Sequence, residues 1–136
     1  MAKTQHLLGK NARNRIYLRL NKKRGRRIAD SKLLTKKVLK KHNLPHPKLY
    51  AVFETPEGLN TFQWENLPGN FVVKPSRGMG GEGILVIKKK AKWAGEWYLM
   101  GDIKIDITQI RLHVLDIFAG RFSLHNLPDK AFVEER

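Results

Sequence analysis

The sequence has 136 residues, no cysteine and a formal net charge of +15 at pH 7, and this length fits one domain or one piece of a larger domain. The absence of cysteine excludes a disulfide framework and a cysteine-ligated zinc site, and it favours a reducing compartment, so we expect a cytoplasmic protein. No apolar run approaches the roughly 20 residues that span a bilayer, so we expect no transmembrane segment.

The positive charge is concentrated at the start of the chain. Residues 1–48 contain 16 lysines and arginines and a single acid, Asp30, whereas residues 49–136 contain 11 basic and 11 acidic residues. We separate a basic N-terminal segment, residues 1–29, from the remainder of the chain, residues 30–136. Such a concentration is typical of nucleic-acid-binding proteins, of a basic arm on an acidic surface, or of a solvated face without a partner, and the pattern leaves all three open.

The first predicted helix covers residues 30–42, DSKLLTKKVLKKH. Leu34 and Val38 share one face at helical spacing, and Asp30 or Ser31 can cap the start. The helix ends before the run NLPHP, because proline cannot continue a helix. Residues 49–53, LYAVF, are then predicted as a strand, so the chain mixes α and β elements.

The spacing of apolar residues in the later part of the chain predicts both strands and helices. Residues 54–70 are predicted as a loop with a short helix around TFQWEN. Two β-branched runs, FVVK at 71–74 and ILVI at 84–87, predict an antiparallel hairpin with residues 75–83 as a mobile flap. After a polar connection, residues 106–120 predict a helix that stops at Gly120, and KAFVEER predicts a final strand. The fold class is therefore α+β.

Four glycines fall within residues 78–83, between the two hairpin strands. Their spacing satisfies G-x-G-x-x-G, but a dinucleotide-binding loop requires a helix after the glycines, and a strand-like run follows here. Neither a Walker A lysine nor the protein-kinase triplets occur. Lys74 precedes Pro75 at the mouth of the loop, and an ammonium beside free backbone NH groups is typical of a phosphate site. A plain hairpin turn is the alternative.

The segment FVVKPSRGMGGEGILVI resembles the ATP-binding hairpin of the ATP-grasp superfamily. Upstream, ADSKLLTKKVLKKHNLPHPKLY resembles the superfamily's Asp-Lys helix and its proline-rich entry to the next strand, and AFVEER is similar to the strand that meets adenine. With LGKNARNRIYLRLNKK and DIFAGRFSL included, the chain is most similar to the N-terminal portion of the alpha-L-glutamate ligase-like, or sugar-transfer-associated, ATP-grasp proteins.

The resemblance implies an ATP-dependent carboxylate–amine ligase that uses ATP and Mg²⁺ and works through an acyl phosphate. Its partners would be ATP and small-molecule or peptide carboxylate and amine substrates. The cofactor-binding residues that it implies are two lysines for phosphate, three glycine NH groups and a pair of acids on the strand that faces the base: Lys32, Lys74, Gly78, Gly80, Gly81, Glu134 and Glu135. No catalytic side chain is assigned.

The resemblance also implies an incomplete ATP-grasp domain over residues 30–136. In the superfamily the acids that hold Mg²⁺ and ribose follow the adenine strand, so we expect the metal-binding half to be missing and this fragment to be inactive. We also expect the apolar face of the 106–120 helix to meet elements outside the chain, through Ile107, Ile110, Val114 and Phe118. The alternative function is a small basic nucleic-acid-binding protein, although its basic segment offers one aromatic residue for stacking, Tyr17.

Overall fold

The computed structural model describes residues 9–136, which form a mixed helix and antiparallel-sheet fold. Short 3₁₀ turns occupy Leu18–Leu20, Trp64–Asn66 and Leu124–Asn126. The α-helices of the described part of the chain are α1 Lys10–Tyr17, α2 Lys23–Ala29, α3 Lys32–Lys41, α4 Pro56–Thr61 and α5 Ile107–Phe118. The strands are β1 Leu49–Phe53, β2 Phe71–Pro75, β3 Leu85–Lys90, β4 Glu96–Leu99, β5 Lys104–Asp106 and β6 Ala131–Glu134.

The six strands of the described residues form one sheet in the order β1-β6-β2-β3-β4-β5. Every neighbouring pair is antiparallel. Strand β6 comes last along the chain yet lies between β1 and β2, with Glu134 opposite Leu49 on one side and Val72 on the other. The sheet therefore brings the C-terminal strand beside the strand that carries Lys74.

The main hydrophobic core lies on one face of this sheet. Side chains alternate between the two faces of a strand, and Val73, Ile87 and Val133 point into the core cluster. Helix α5 and the segment between β1 and β2 cover that face. The fully buried residues with the largest side chains there are Trp64, Trp97, Phe71, Leu59, Ile87, Ile110 and Ile117.

Helix α5 begins with a capping box and ends at a glycine. The Asp106 carboxylate accepts from the Gln109 backbone NH at 2.8 Å, and the Gln109 side chain accepts from the Asp106 NH at 3.0 Å. Gly120 has φ +80°, as the predicted stop requires. The expectation that the apolar face of this helix meets elements outside the chain is wrong. Ile110 and Val114 are fully buried, because this chain's own sheet covers them.

The sequence predicted most of these elements. The helix at 30–42, the strands at 49–53, 71–74 and 84–87, the helix at 106–120 and the last strand are confirmed to within a few residues. In 54–70 the α-helix lies at Pro56–Thr61 and ends at the first residue of TFQWEN, and a 3₁₀ turn lies within that run. The region predicted as a polar connection contains β4 and β5, which extend the sheet.

The basic N-terminal segment forms helices α1 and α2 in its described part, residues 9–29. Most of its side chains are exposed, including Ile16, Tyr17 and Leu20. Helix α2 packs against α3, and the Thr35 hydroxyl donates to the Ile28 carbonyl at 2.8 Å. Within residues 9–136, no helix combines the length and apolarity that a membrane crossing requires.

Candidate functional site

The glycine loop joins β2 and β3 as the sequence predicted. Phe71 pairs with Ile87 and Val73 with Leu85, so the two strands form an antiparallel hairpin around the loop. The loop is a turn, and the next regular element is the strand that begins at Leu85. A dinucleotide-binding loop is therefore excluded, because it requires a helix at this point.

The tip of the loop is a tight turn with unbonded amides. The Glu82 NH donates to the Met79 carbonyl at 2.9 Å, and the two central residues, Gly80 and Gly81, have φ of +60° and +85°, which L side chains rarely adopt. Within residues 9–136, the NH groups of Gly78, Gly80 and Gly81 donate to no protein acceptor. Three donors thus remain available in the loop to bind an anion.

The base of the loop is held against α5 and the segment that follows it. His113, on α5, has its Nε2 at 2.9 Å from the Gly83 carbonyl. The Met79 NH donates to the Phe122 carbonyl at 3.4 Å. A Cβ on Gly83 would lie 2.6 Å from the Phe122 ring, so the glycine permits this close packing. The predicted flap therefore packs against the body of the protein in this structure, and its mobility stays a prediction.

Lys32 binds the loop from the other side. Its Nζ donates to the Gly78 carbonyl at 2.7 Å. Gly78 itself has no room for a side chain, because a Cβ would lie 2.2 Å from Pro75 Cγ. Burial lowers the pKa of Lys32 below its ordinary value of 10.5, and the nearby Lys74 ammonium lowers it further, while Asp129 and Glu134 oppose the shift. Lys32 thus shares one electrostatic environment with Lys74 and Glu134.

Glu134 is a buried carboxylate held by two lysines. Lys74, on β2, donates to Glu134 Oε1 at 2.5 Å. Lys36, one helical turn after Lys32 on α3, pairs with Oε2. Glu134 is 3% exposed, and a buried carboxylate is tolerated when it is paired and hydrogen-bonded. Two ammonium groups on one carboxylate, with the Lys32 ammonium nearby, leave the cluster positive, so it can attract an anion.

The start of α3 is fixed to the strand end that leads into the loop. Ser31 caps the helix by accepting from the Leu34 NH at 3.3 Å, and its hydroxyl lies 3.1 Å from that of Ser76. The Lys32 NH donates to the Ser76 carbonyl at 2.9 Å. These contacts place Lys32 and Lys36 over the lysine of β2.

Asp129 fixes the other side of the loop entrance. Its carboxylate accepts from the Arg77 NH at 2.6 Å and from the Lys130 NH at 2.8 Å, and the Ser76 NH donates to the Lys130 carbonyl at 2.8 Å. Residues 76 and 77 are therefore bonded to the segment before β6 as well as to α3.

Glu135 lies apart from the lysine cluster. Its NH donates to the Lys48 carbonyl at 2.8 Å, and its side chain accepts from the Lys48 NH at 3.2 Å. Sequence reasoning grouped Glu134 with Glu135, but successive side chains of a strand point to opposite faces. Of the predicted residues, the structure brings together Lys32, Lys74, Gly78 and Glu134, with Gly80 and Gly81 at the tip of the same loop.

Sequence reasoning missed Lys36, His113, Phe122 and Asp129. The doublet Lys36-Lys37 and the four-residue spacing from Lys32 were the available signals for Lys36. His113 is a histidine with a backbone partner, consistent with its place beside an apolar helical stripe. Among the described residues, no group of three or more histidine and acidic side chains could hold a metal ion.

A comparison with protein families matches residues 11–136 to the family described as sugar-transfer associated ATP-grasp. The chain belongs to this family. No curated protein and no solved structure matches the chain significantly. Membership in the sugar-transfer associated ATP-grasp family indicates an ATP-binding, ligase-like function, and proteins of the ATP-grasp family generally bind ATP and Mg²⁺. The comparison gives no support to the nucleic-acid alternative.

Proposed function

We propose that the chain is the ATP-binding portion of an ATP-dependent carboxylate–amine ligase of the glutamate ligase-like type, which acts through an acyl phosphate. The observation that carries this proposal is the pairing of Lys36 and Lys74 with Glu134, next to Lys32 and a loop in which three NH groups have no acceptor among residues 9–136. Phosphoryl transfer depends on positioning and on charge stabilisation, so cations and oriented NH groups are what its site requires.

The residues present fit the phosphate chain of ATP. Among the described residues, no atom lies within 4 Å of the position that a Cβ would take on Gly80 or Gly81, so another group can approach the backbone closely. Lys74 lies at the end of β2, where the loop begins, and Pro75 after it is fully buried. In the proposal Lys74 and the NH groups of Gly78, Gly80 and Gly81 bind phosphate oxygens, and ATP supplies the phosphoryl group that activates the carboxylate.

Glu134 holds the lysines in position before the nucleotide arrives. Mutual repulsion would drive three ammonium groups apart, and one buried carboxylate between Lys36 and Lys74 offsets it. When Lys74 turns to a phosphate, Lys36 keeps Glu134 paired, so no buried charge is left without a partner. Lys32 holds the loop through Gly78 and adds a third positive charge. We further propose that the backbone at the end of β6, at Glu134 and Glu135, faces the base.

The described residues do not by themselves fit Mg²⁺, since they contain no group of three or more histidine or acidic side chains that could hold it. We propose that residues 30–136 are the N-terminal part of an ATP-grasp domain, that residues 1–29 are a basic segment before it, and that the metal ligands belong to a C-terminal half outside this sequence. Without those ligands the fragment would lack ligase turnover.

The test is ATP binding by a Lys74→Ala variant. We expect the substitution to weaken binding by about 1.5–3 kcal/mol, the scale of a hydrogen bond to a charged group, as measured by titration calorimetry. The matched control is Lys88→Ala on β3, which removes a lysine that pairs with the exposed Asp102 at 3.1 Å. Circular dichroism checks that both variants fold. Wild-type affinity in folded Lys74→Ala would refute the assignment of this lysine to phosphate.

A further inference from the structure

A second basic feature lies between α2, α3 and the start of the glycine loop. It is a cleft of about 890 Å³, separate from the Lys74 cluster. Five cationic side chains line it, with Asp30 as the lining acid: Lys22, Lys23, Arg26, Arg27 and Arg77. All five cationic residues are exposed, so their charges can be reached from solvent.

These cations lack the ion pairs that other basic residues form. Lys88, Lys104, Arg121 and Lys130 each pair with a carboxylate on the surface. In the part of the chain that the structure describes, none of the five cleft cations does so. Asp30 offsets only part of the charge of these five cations, and the rest is available to an external anion.

The spacing of the cations suits a ligand with more than one anionic group. On α2, Lys23 is three residues before Arg26 and four before Arg27, and such positions have Cβ atoms about 5–6 Å apart. Arg77 faces the same cleft from the glycine loop. Arginine binds phosphate and carboxylate through paired NH groups, so anionic groups can be bound from both sides of the cleft.

The size and floor of the cleft favour a small organic molecule over a nucleic acid. Its volume lies within the usual range for small-molecule sites, about 300–1,000 Å³. Leu18, Ala29 and Leu34 contribute an apolar surface for the body of a ligand. Lining residues include no aromatic side chain on which bases could stack.

The cleft continues toward the proposed phosphate site. A cavity of about 420 Å³ shares Ala29, Asp30 and Arg77 with it and is also lined by Lys32 and Gly78. Arg77 thus borders both spaces. A ligand in the cleft would lie next to the loop that we propose binds the ATP phosphates.

We propose that this basic cleft binds the carboxylate substrate of the ligase, a small oligoanion with a compact body that carries the carboxylate to be activated and at least one further phosphate or carboxylate group. The role of the oligoanion as the carboxylate substrate rests on the proposed function, whereas its binding in the cleft does not. The geometry assigns Arg26, Arg27 and Arg77 as the principal anion contacts.

The experiment measures the binding of fructose 1,6-bisphosphate, a two-phosphate probe, by calorimetry on the 136-residue chain at near-physiological salt. We expect Arg26→Glu/Arg27→Glu to weaken binding about tenfold or more, since each tenfold is about 1.4 kcal/mol and charged hydrogen bonds contribute on this scale. Arg77→Gln, a milder change in another element, should also weaken it. The matched control, Lys40→Glu/Lys41→Glu, changes the charge equally at exposed positions of α3 that line neither cavity.

Each outcome decides the proposal. Equal losses of probe affinity in the cleft variant and the control would show that only the overall charge matters, and this result would overturn the proposed site. Failure of the wild type to bind the probe would overturn it as well. Displacement of the probe by a single-stranded DNA oligomer that binds more tightly would assign the cleft to nucleic acid instead. An ATP titration of the wild type separates the two ideas. Failure to bind the probe with intact ATP binding overturns the cleft proposal alone, and probe binding without ATP binding overturns the ligase proposal alone.

Discussion

At the scale of residues, the site is organised by a carboxylate rather than by its lysines. Glu134 is buried between Lys36 and Lys74, which come from different elements and would repel each other without it. Lys32 belongs to the same cluster but uses its ammonium to hold the Gly78 carbonyl. One lysine therefore shapes the loop, while the other two are positioned by a shared acid.

The lowered pKa of Lys32 predicts a pH-dependent stability contribution. At pH values between the folded-state pKa of Lys32 and 10.5, the unfolded chain binds more protons than the folded chain. The free energy of unfolding therefore rises with pH in that window. Urea unfolding from about pH 8 to the ordinary lysine pKa should therefore show the stability of wild type relative to Lys32→Met increasing with pH. Lys37→Met, an exposed position on the same helix, is the control for loss of a lysine. A difference that stays constant or shrinks would contradict the shift.

At the scale of elements, the β2–β3 hairpin combines a fixed base with an open tip. Lys32, His113, Phe122 and Asp129 hold its base through backbone groups of residues 77–83. The turn at Gly80 and Gly81 extends beyond these contacts, with free NH groups. Such a division fixes the position of the loop while leaving the tip able to approach a ligand.

Substitutions at two glycines of this loop distinguish the effect of backbone strain on stability from the effect of side-chain packing. Gly80 and Gly83 both have positive φ, +60° and +72°, but only a Cβ at position 83 would overlap Phe122. Gly80→Ala should lose roughly 1–2 kcal/mol through the left-handed backbone, and Gly83→Ala should lose about 1–3 kcal/mol more through overpacking. Urea denaturation measures both, and Phe122→Ala should recover part of the additional loss in a double-mutant cycle. Equal losses at the two positions would mean that the loop is not packed on Phe122.

At the scale of the whole molecule, the described residues build one core on one face of a six-stranded sheet. Strand β6 completes the sheet by inserting between β1 and β2, which places Glu134 beside Lys74. Helix α5 packs on this sheet, so its apolar side belongs to the chain's own interior.

Substitutions on α5 test that packing. Ile110 is fully buried and Leu112, two residues later on the same helix, is 58% exposed. Ile110→Ala should reduce the free energy of unfolding by about 2–5 kcal/mol through lost burial and a cavity, whereas Leu112→Ala should change it by about 0.5 kcal/mol or less. Chemical denaturation of the chain measures both. Similar small effects would show that the helix is not docked on the sheet.

The sequence by itself determined the elements whose signals are local. The spacing of apolar residues and the turn residues predicted the helix after Ser31, the hairpin strands around the glycines and the helix after Asp106. The Lys74-Pro75-glycine run predicted half of the candidate site. Strands β4 and β5 were not predicted, because a segment of three or four residues is too short to show an alternation of apolar and polar side chains that differs from a polar loop.

Only the tertiary structure decided which distant residues meet. Lys36 and Glu134 are 98 positions apart, and His113 and Gly83 are 30 apart; no local pattern links either pair. Their contacts depend on the insertion of β6 between β1 and β2 and on the docking of α3 through Ser31 and Ser76. Side-chain pairing across a sheet follows strand order and register, which are set by the burial of the whole core rather than by any single segment.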